Sequence, residues 1–203
     1  MKLYITDGSP YARIARIVII EKGLEHRVEL VAAQTRRSDS PYYAINASGR
    51  VPYLVRDDGV GMEESALICA YLDHLDGRPM FETPAGEQRW ETLRLEARAR
   101  SMIDGLAVWM REVRRPANER SPTVIRHEAD RSARMADFWE HEIDHPWMRG
   151  PLNMAQITLA CALGLEGRCA DFRWRAGRPK LSAWFDAFAA RPAFARTAPT
   201  SQH

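Results

Sequence analysis

The stretch TDGSPYARIARIVIIEKGL, Thr6 to Leu24, decides the fold class predicted for this chain. It overlaps the end of KLYIT, whose β-forming residues predict a strand. Asp7-Gly8 breaks the strand, and Ser9-Pro10 has the pattern of a helix N-cap followed by proline at the first helical position. The helix that follows ends at Gly23. Its apolar face consists of Ile14, Ile17, Val18 and Leu24. The sequence therefore predicts a strand-to-helix unit with the Ser9 hydroxyl at the junction.

The next fifty residues continue this unit as a small α/β domain. HRVELV alternates polar and apolar residues, which predicts a second strand. A short polar helix or loop is expected between residues 38 and 46. VPYLVR predicts a third strand, DDG a hairpin turn and VGM a short fourth strand. EESALICAYLDHLDG then predicts a helix with apolar positions at 67, 68, 71, 72 and 75.

The pattern changes from Arg78 onward. RPMFETPAGE has no periodicity and contains proline and glycine, which is typical of a linker. Beyond it we find helical patterns only; the four predicted helices run from 87 to about 115, 122 to 145, 153 to about 165 and 179 to 190. We therefore predict an α/β domain over residues 1–77, a linker over 78–86 and an all-helical domain over 87–203.

Composition and charge argue against several classes of function. The 203 residues carry a formal net charge of only +2, with acidic and basic side chains interleaved, so neither nucleic acid nor a membrane surface is an expected partner. The longest uncharged apolar run, 152–165, is too short to span a bilayer, and MKLYITDGSP lacks the apolar core of a secretory signal. The three cysteines form no C-x-x-C motif and cannot all pair. We expect a cytoplasmic protein.

Five motifs, in order along nearly the whole chain, resemble those of the glutathione S-transferase family. SPYARIARIVIIEKGL is similar to the family's opening Ser/Cys-Pro helix, and NASGRVPYL to its N-P-x-G-x-V-P-x-L loop, with Ala47 in place of proline. EESALICAYL resembles its E-S-x-A-I-x-x-Y-L helix, and RPKLSAWFDAFAARPAF its last helix. LNMAQITLACAL falls where the family has a buried helix with a capping box, for which Asn153 and Gln156 would supply the N-cap and N3 residues. The resemblance implies a thioredoxin-like α/β domain followed by an all-α domain.

The resemblance also implies a site for glutathione as co-substrate, and the residue types suit this ligand. The helix that begins near Glu64-Ser65 points free N–H groups and the positive end of its dipole at an anion, so Ser65 would hold the γ-glutamyl carboxylate and Glu64 the ammonium group. Val51-Pro52 matches the family's cis-proline, which turns the Val51 backbone outward to pair with the cysteinyl backbone, and Arg50 could reach a carboxylate. Two structural alternatives are open: Glu64-Ser65 as a capping pair only, and Pro52 as a trans proline that opens an edge strand.

Ser9 is the candidate catalytic residue. A free thiol with a pKa of about 8.5 is only a few per cent thiolate at neutral pH. A hydroxyl at a helix N-terminus can donate to the thiolate and stabilise it, and the thiolate then attacks an electrophile. Tyr4 and Tyr11 are rival donors, but Tyr4 lies inside the predicted strand and Tyr11 inside the start of the helix. The alternative is that Ser9 only caps the helix, although one hydroxyl can fill both roles.

One motif points to a different chemistry. HEIDH, His141 to His145, fits H-E-x-x-H, in which two histidines one helical turn apart bind zinc and the glutamate is a general base. Glu166 is conceivable as a third ligand. Pro146 follows at once and would end the helix at the motif, so chance occurrence in a charged helix is the favoured interpretation, and no metal is expected.

The leading hypothesis is a detoxifying glutathione transferase that conjugates or reduces a hydrophobic electrophile. The candidate walls of its electrophile pocket are Tyr11, Met102, Leu106 and Trp109, although such residues at helical spacing are more often core. The alternative is a non-catalytic relative that binds glutathione or a protein partner, because a fold does not fix a function. The resemblance further implies a homodimer, with the helices from Glu64 and from Glu87 at its two-fold interface.

Overall fold

The computed structural model describes residues 1–169 and 171–200, and it begins with a four-stranded mixed sheet. The strands are β1 (Lys2–Ile5), β2 (Glu29–Ala32), β3 (Tyr53–Val55) and β4 (Gly61–Met62), in the spatial order β2-β1-β3-β4. Strand β1 pairs parallel to β2 and antiparallel to β3, and β4 pairs antiparallel to β3. All four strands predicted from the sequence are present. Strand β2 begins later than predicted because the backbone of Arg27 and Val28 still hydrogen-bonds to Leu24 in a turn.

Two helices accompany the sheet, α1 (Pro10–Glu21) and α2 (Ser65–His74), and they pack against each other. Their apolar faces and the middle of the sheet form one core, because the side chains that these elements bury completely include Leu3, Ile14, Val18, Leu54, Ile68 and Leu72. A short 3-10 turn, Pro41–Ala44, lies in the segment that the sequence leaves as helix or loop. The strand-to-helix unit predicted from the opening stretch is therefore the centre of this core.

The remaining described residues form helices and the loops that connect them. They contain α3 (Glu87–Val113), α4 (Pro122–Glu142), α5 (Pro146–Arg149), α6 (Met154–Leu163), α7 (Pro179–Ala189) and α8 (Pro192–Arg196). Helix α6 is buried on all sides, as its mostly apolar sequence predicts, and α3 packs against both α6 and α4. In the part of the chain that the structure describes, no helix is long and apolar enough to cross a membrane.

The chain divides into two compact units, Met1–Glu82 together with the segment from Pro192 onward, and Thr83–Arg191. The division near residue 82 falls inside the predicted 78–86 linker. The C-terminal segment differs from the predicted 87–203 domain, because α8 packs on α1 and so belongs with the sheet. Residues 201–203 of that predicted domain lie outside the described residues.

Candidate functional site

Three chain segments meet at one end of the sheet because of the strand directions. Strand β1 ends at Ile5 and leads into the turn before Ser9, and β3 begins at Tyr53, which is paired with Tyr4 near that end of β1. Antiparallel pairing therefore brings the loop ending at Pro52 beside the turn that carries Ser9. Strand β4 runs back along β3, so Met62, paired with Leu54, leads into the start of α2 at the same end. The structure thus gathers the segments that contain Ser9, residues 50–52 and residues 64–65.

The Ser9 side chain caps α1, as the sequence predicts. Its backbone is extended, with φ −82° and ψ 119°, and its Oγ accepts a hydrogen bond from the Ala12 N–H at 3.2 Å. The Ser9 N–H donates to the Thr6 carbonyl at 3.1 Å, which closes the turn after β1. A hydroxyl that accepts from a backbone N–H keeps its own proton for donation to another acceptor. The Ser9 Oγ can therefore cap the helix and donate to an anion at the same time.

The loop before β3 is held by two side chains that the sequence analysis did not single out as site residues. The Arg50 carbonyl accepts from the Tyr42 hydroxyl at 2.6 Å and from Asn46 Nδ2 at 2.9 Å, and both Tyr42 and Asn46 are buried. The Asn46 Oδ1 in turn accepts from the N–H and hydroxyl of Ser48. Burial raises the pKa of Tyr42, which keeps its phenol in the donating form. Asn46 stood in the quoted loop motif, whereas no local pattern marks Tyr42.

This loop leads into the cis-proline that the resemblance implies. The Val51–Pro52 peptide bond is cis, so the alternative of a trans proline is wrong. Pro52 is buried and Val51 half-buried, while the Arg50 side chain is exposed. The hydrogen bonds to the Arg50 carbonyl therefore hold the backbone of this loop, while the Arg50 side chain is exposed to solvent.

The start of α2 has an unusual backbone. Glu64 caps the helix at φ 71°, a value that non-glycine residues rarely adopt, and its Oε1 accepts from the Ala66 N–H at 3.5 Å and from the Ser65 hydroxyl at 3.3 Å. The Glu64 side chain is exposed and Ser65 is buried. A residue in a sparsely populated φ/ψ region costs about 1–3 kcal/mol and persists where the surrounding structure enforces it, often at a binding site. Glu64 thus caps α2 from an unusual backbone conformation and keeps its carboxylate exposed to solvent.

The four candidate pocket residues differ in exposure. Tyr11 lies in the first turn of α1 and is half-buried. The other three, Met102, Leu106 and Trp109, are buried residues of α3. Trp109 is only 3% exposed and packs its ring edge-to-face on Phe172. These three side chains contribute to packing within the helical unit, as the sequence analysis allowed.

All three cysteines, Cys69, Cys161 and Cys169, are free and buried. Burial raises the pKa of the Cys169 thiol. A buried thiol with a raised pKa is a poor nucleophile.

The H-E-x-x-H motif is broken by the end of a helix. Helix α4 ends at Glu142, and His145 caps the next helix by accepting from the Trp147 N–H through Nδ1 at 3.2 Å. His141 lies in α4 whereas His145 lies beyond its end, so the two histidines do not share one face of a helix. The proposed third ligand, Glu166, instead pairs with Arg175 at 2.8 Å.

Two residues of this motif, Glu142 and His145, belong to a charged cluster with Glu91 and Arg94. Glu91, Glu142 and His145 bring their side-chain ligand atoms within 4.8 Å of one another, and His145 Nε2 lies 3.1 Å from Glu91. The Arg94 guanidinium binds Glu91 at 2.5 Å and Glu142 at 2.8 Å, and it lowers the pKa of Glu91. This group is therefore an ion-pair network that ties α3 to the end of α4.

The sheet order, the serine-capped first helix and the cis-proline loop define a thioredoxin-like domain, which a helical domain follows. A family model described as the glutathione S-transferase N-terminal domain matches residues 3–80. A crystal structure of a glutathione transferase family member from Pseudomonas fluorescens Pf-5, with bound S-(propanoic acid)-glutathione, is 30% identical, covers 99% of this chain and 100% of its own, and has a TM-score of 0.87. A structure from the same organism with bound glutathione is 29% identical over 98% of this chain and 99% of its own, with a TM-score of 0.89.

Among curated proteins, the uncharacterised GST-like protein YibF of Escherichia coli K12 is 28% identical over 201 residues, which is 98% of each chain. The chain belongs to the glutathione S-transferase family.

Proposed function

We propose that this protein binds glutathione at the end of the sheet and is a glutathione transferase that acts on a hydrophobic electrophile. The observation that carries the proposal is the meeting of three segments there: the turn at Ser9, the loop 50–52 and the start of α2. The P. fluorescens relatives, which match this chain along its length, have glutathione or a glutathione conjugate bound. The γ-glutamyl end of glutathione fits the start of α2, its cysteinyl backbone fits the loop 50–52, and its thiol fits the turn at Ser9.

Each end of glutathione has a matching group. The γ-glutamyl carboxylate binds the N-terminus of α2, where the helix dipole favours an anion, and the Ser65 hydroxyl exchanges its 3.3 Å bond to Glu64 for one to this carboxylate. The exposed Glu64 carboxylate binds the ammonium group, and the open Arg50 guanidinium binds a carboxylate. The backbone of Val51 pairs with the cysteinyl peptide group, beside Pro52. The hydrogen bonds from Tyr42 and Asn46 to the Arg50 carbonyl support this assignment because they hold the pairing segment in place.

Ser9 is the group that activates the thiol. Its hydroxyl donates to the glutathione sulfur while its Oγ keeps the bond from the Ala12 N–H, and the N-terminus of α1 adds its positive dipole end. Both effects favour the thiolate over the thiol and lower the pKa of the bound thiol. The thiolate sulfur then attacks the electrophilic carbon; a C–S bond forms, and the displaced electron pair leaves with the leaving group. Tyr11, which follows Ser9 by two residues and is half-buried, is the proposed contact for the electrophile.

Two further properties belong to the proposal. We also propose a homodimer through the helices α2 and α3, which each expose one large apolar side chain, Leu67 at 53% and Trp90 at 65%. The protein works in the cytoplasm, where a reducing environment keeps both glutathione and its own cysteines as thiols.

The competing function is a non-catalytic protein that binds glutathione for another purpose. Two measurements separate these possibilities: retention on immobilised glutathione, and conjugation of an activated aryl halide followed by absorbance. We expect retention and turnover. Retention without turnover, over a panel of electrophiles, would favour the non-catalytic alternative, and loss of both would contradict the glutathione site itself.

A further inference from the structure

The C-terminal strap, defined as residues 192–200, is bonded to the turn that carries Ser9. The Asp7 carboxylate accepts two hydrogen bonds from Thr200, one from its N–H at 2.8 Å and one from its hydroxyl at 3.2 Å. Asp7 lies only two residues before Ser9, on the other side of Gly8. The strap and this turn belong to the same compact unit. One end of the turn is therefore fixed by a residue 193 positions away in the sequence.

A second attachment lies on the other side of Ser9. Arg13 follows Ser9 by one helical turn, and its N–H donates to the Ser9 carbonyl at 3.0 Å. Its side chain is only 6% exposed and lies over the Phe194 ring, 3.7 Å from the ring centroid. The guanidinium donates to the Phe194 carbonyl at 2.9 Å and to Thr197 Oγ1 at 3.4 Å. A buried guanidinium is costly without such partners, so this attachment specifies where the strap lies.

We propose that the C-terminal strap positions the Ser9 hydroxyl for thiolate formation, so that Asp7, Arg13 and Thr200 are positioning residues. This inference rests on the proposed function of Ser9. Gly8 gives the turn more conformational freedom than any other residue type would, and the turn needs fixed points on both sides to hold one geometry. A displacement of about 1 Å in a reacting group can reduce a rate by about a hundredfold, so small motions of this turn matter.

The test breaks the Asp7–Thr200 contact from both sides. Asp7→Ala removes the acceptor, and Thr200→Pro removes the N–H donor. The matched control is Glu25→Ala, which removes the strap's ion pair between Glu25 and Arg196. That pair is exposed, and Glu25 lies beyond the end of α1, far along the chain from Ser9.

The readouts are the pH titration of the bound thiol, kcat, the Kd for glutathione and the melting temperature. We expect both strap variants to raise the apparent pKa of the bound thiol and to lower kcat about tenfold near neutral pH, with little change in Kd. The double variant should be no worse than Asp7→Ala alone, because Asp7→Ala already removes the contact that Thr200→Pro breaks, together with the 3.8 Å ion pair between Asp7 and Arg16. The control should keep the wild-type thiol pKa and kcat. Wild-type thiol pKa and kcat in both strap variants, with only a lower melting temperature, would overturn the proposal.

If the variants fold poorly, Thr200→Val removes only the hydroxyl bond, and a smaller change in the same direction is expected. If the wild-type protein does not lower the thiol pKa at all, the proposed function of Ser9 fails, and hydrogen exchange of the Ser9 amide still tests the strap. Faster exchange in Asp7→Ala than in the Glu25→Ala control would support positioning of the turn, whereas equal exchange would overturn it.

Discussion

Replacement of Ser9 by alanine is the most direct test of the proposed chemistry, and its magnitude follows from two contacts. The first is the cap: the Ser9 Oγ accepts from the Ala12 N–H, and loss of such a cap costs about 0.5–2 kcal/mol of stability. The second is the proposed bond to the thiolate, and hydrogen bonds to charged groups contribute about 1.5–3 kcal/mol. Divided by 1.36 kcal/mol per unit, the second contact predicts that the pKa of the bound thiol rises by roughly 1–2 units in Ser9→Ala.

The assay is an ultraviolet titration of the thiolate in the glutathione complex, combined with the pH profile of turnover. Activity should fall with the thiolate fraction, by up to about 10- to 100-fold at a pH below the wild-type pKa of the bound thiol and by less above it. It should recover toward high pH, where the thiol ionises without help from Ser9. The Kd for glutathione should change less, because the groups proposed to bind its carboxylates and backbone are intact.

The matched control is Ser121→Ala. Ser121 caps α4 in the same way, with its Oγ accepting from the Val124 N–H at 3.3 Å, and it lies in the other compact unit. Both variants should lose a similar amount of stability, but only Ser9→Ala should shift the thiol titration. Coincident titration curves for wild type and Ser9→Ala would refute the reasoning and would mean that Ser9 is a cap and another group activates the thiol.

Three further predictions concern the loop, the buried helix and the assembly. Tyr42→Phe removes one of two donors to the Arg50 carbonyl, so stability measured by chemical denaturation should fall by about 0.5–1.5 kcal/mol. The Kd for glutathione measured by calorimetry should rise while kcat is retained, and an unchanged Kd would contradict the role given to this loop. Asn153→Ala should cost about 0.5–2 kcal/mol, because Asn153 Oδ1 accepts from the Gln156 N–H at 3.1 Å, and an unchanged thermal midpoint would rule out the cap. Light scattering at micromolar concentration should give twice the chain mass, and a 23.2 kDa species would contradict the homodimer.

The capping box at α6 shows which contacts of a motif the sequence predicts and which depend on tertiary structure. The sequence predicts a reciprocal pair, and the Asn153 half of it is present. The Gln156 side chain instead donates to the carbonyls of Trp147 and Gly150, at 2.9 and 3.2 Å, so it binds the preceding loop. The sequence pattern predicts the Asn153 cap because this contact spans only three residues. The partners of the longer Gln156 side chain depend on which carbonyls the fold brings near it.

The sequence by itself determined the features that arise within a few residues of one another. The strands, the helices and the caps at Ser9 and Asn153 follow from side-chain periodicity, propensities and hydrogen bonds over three or four positions. Tertiary structure decided the rest: the hold of Tyr42 on the Arg50 carbonyl, the conversion of H-E-x-x-H into a network around Arg94, and the strap that reaches from Thr200 to Asp7. No local sequence pattern predicts these contacts. They exist because strand pairing and core burial bring distant segments of the chain together. Local physics therefore put the Ser9 hydroxyl at the end of a helix, and only the folded chain gave it surroundings that can hold it in place.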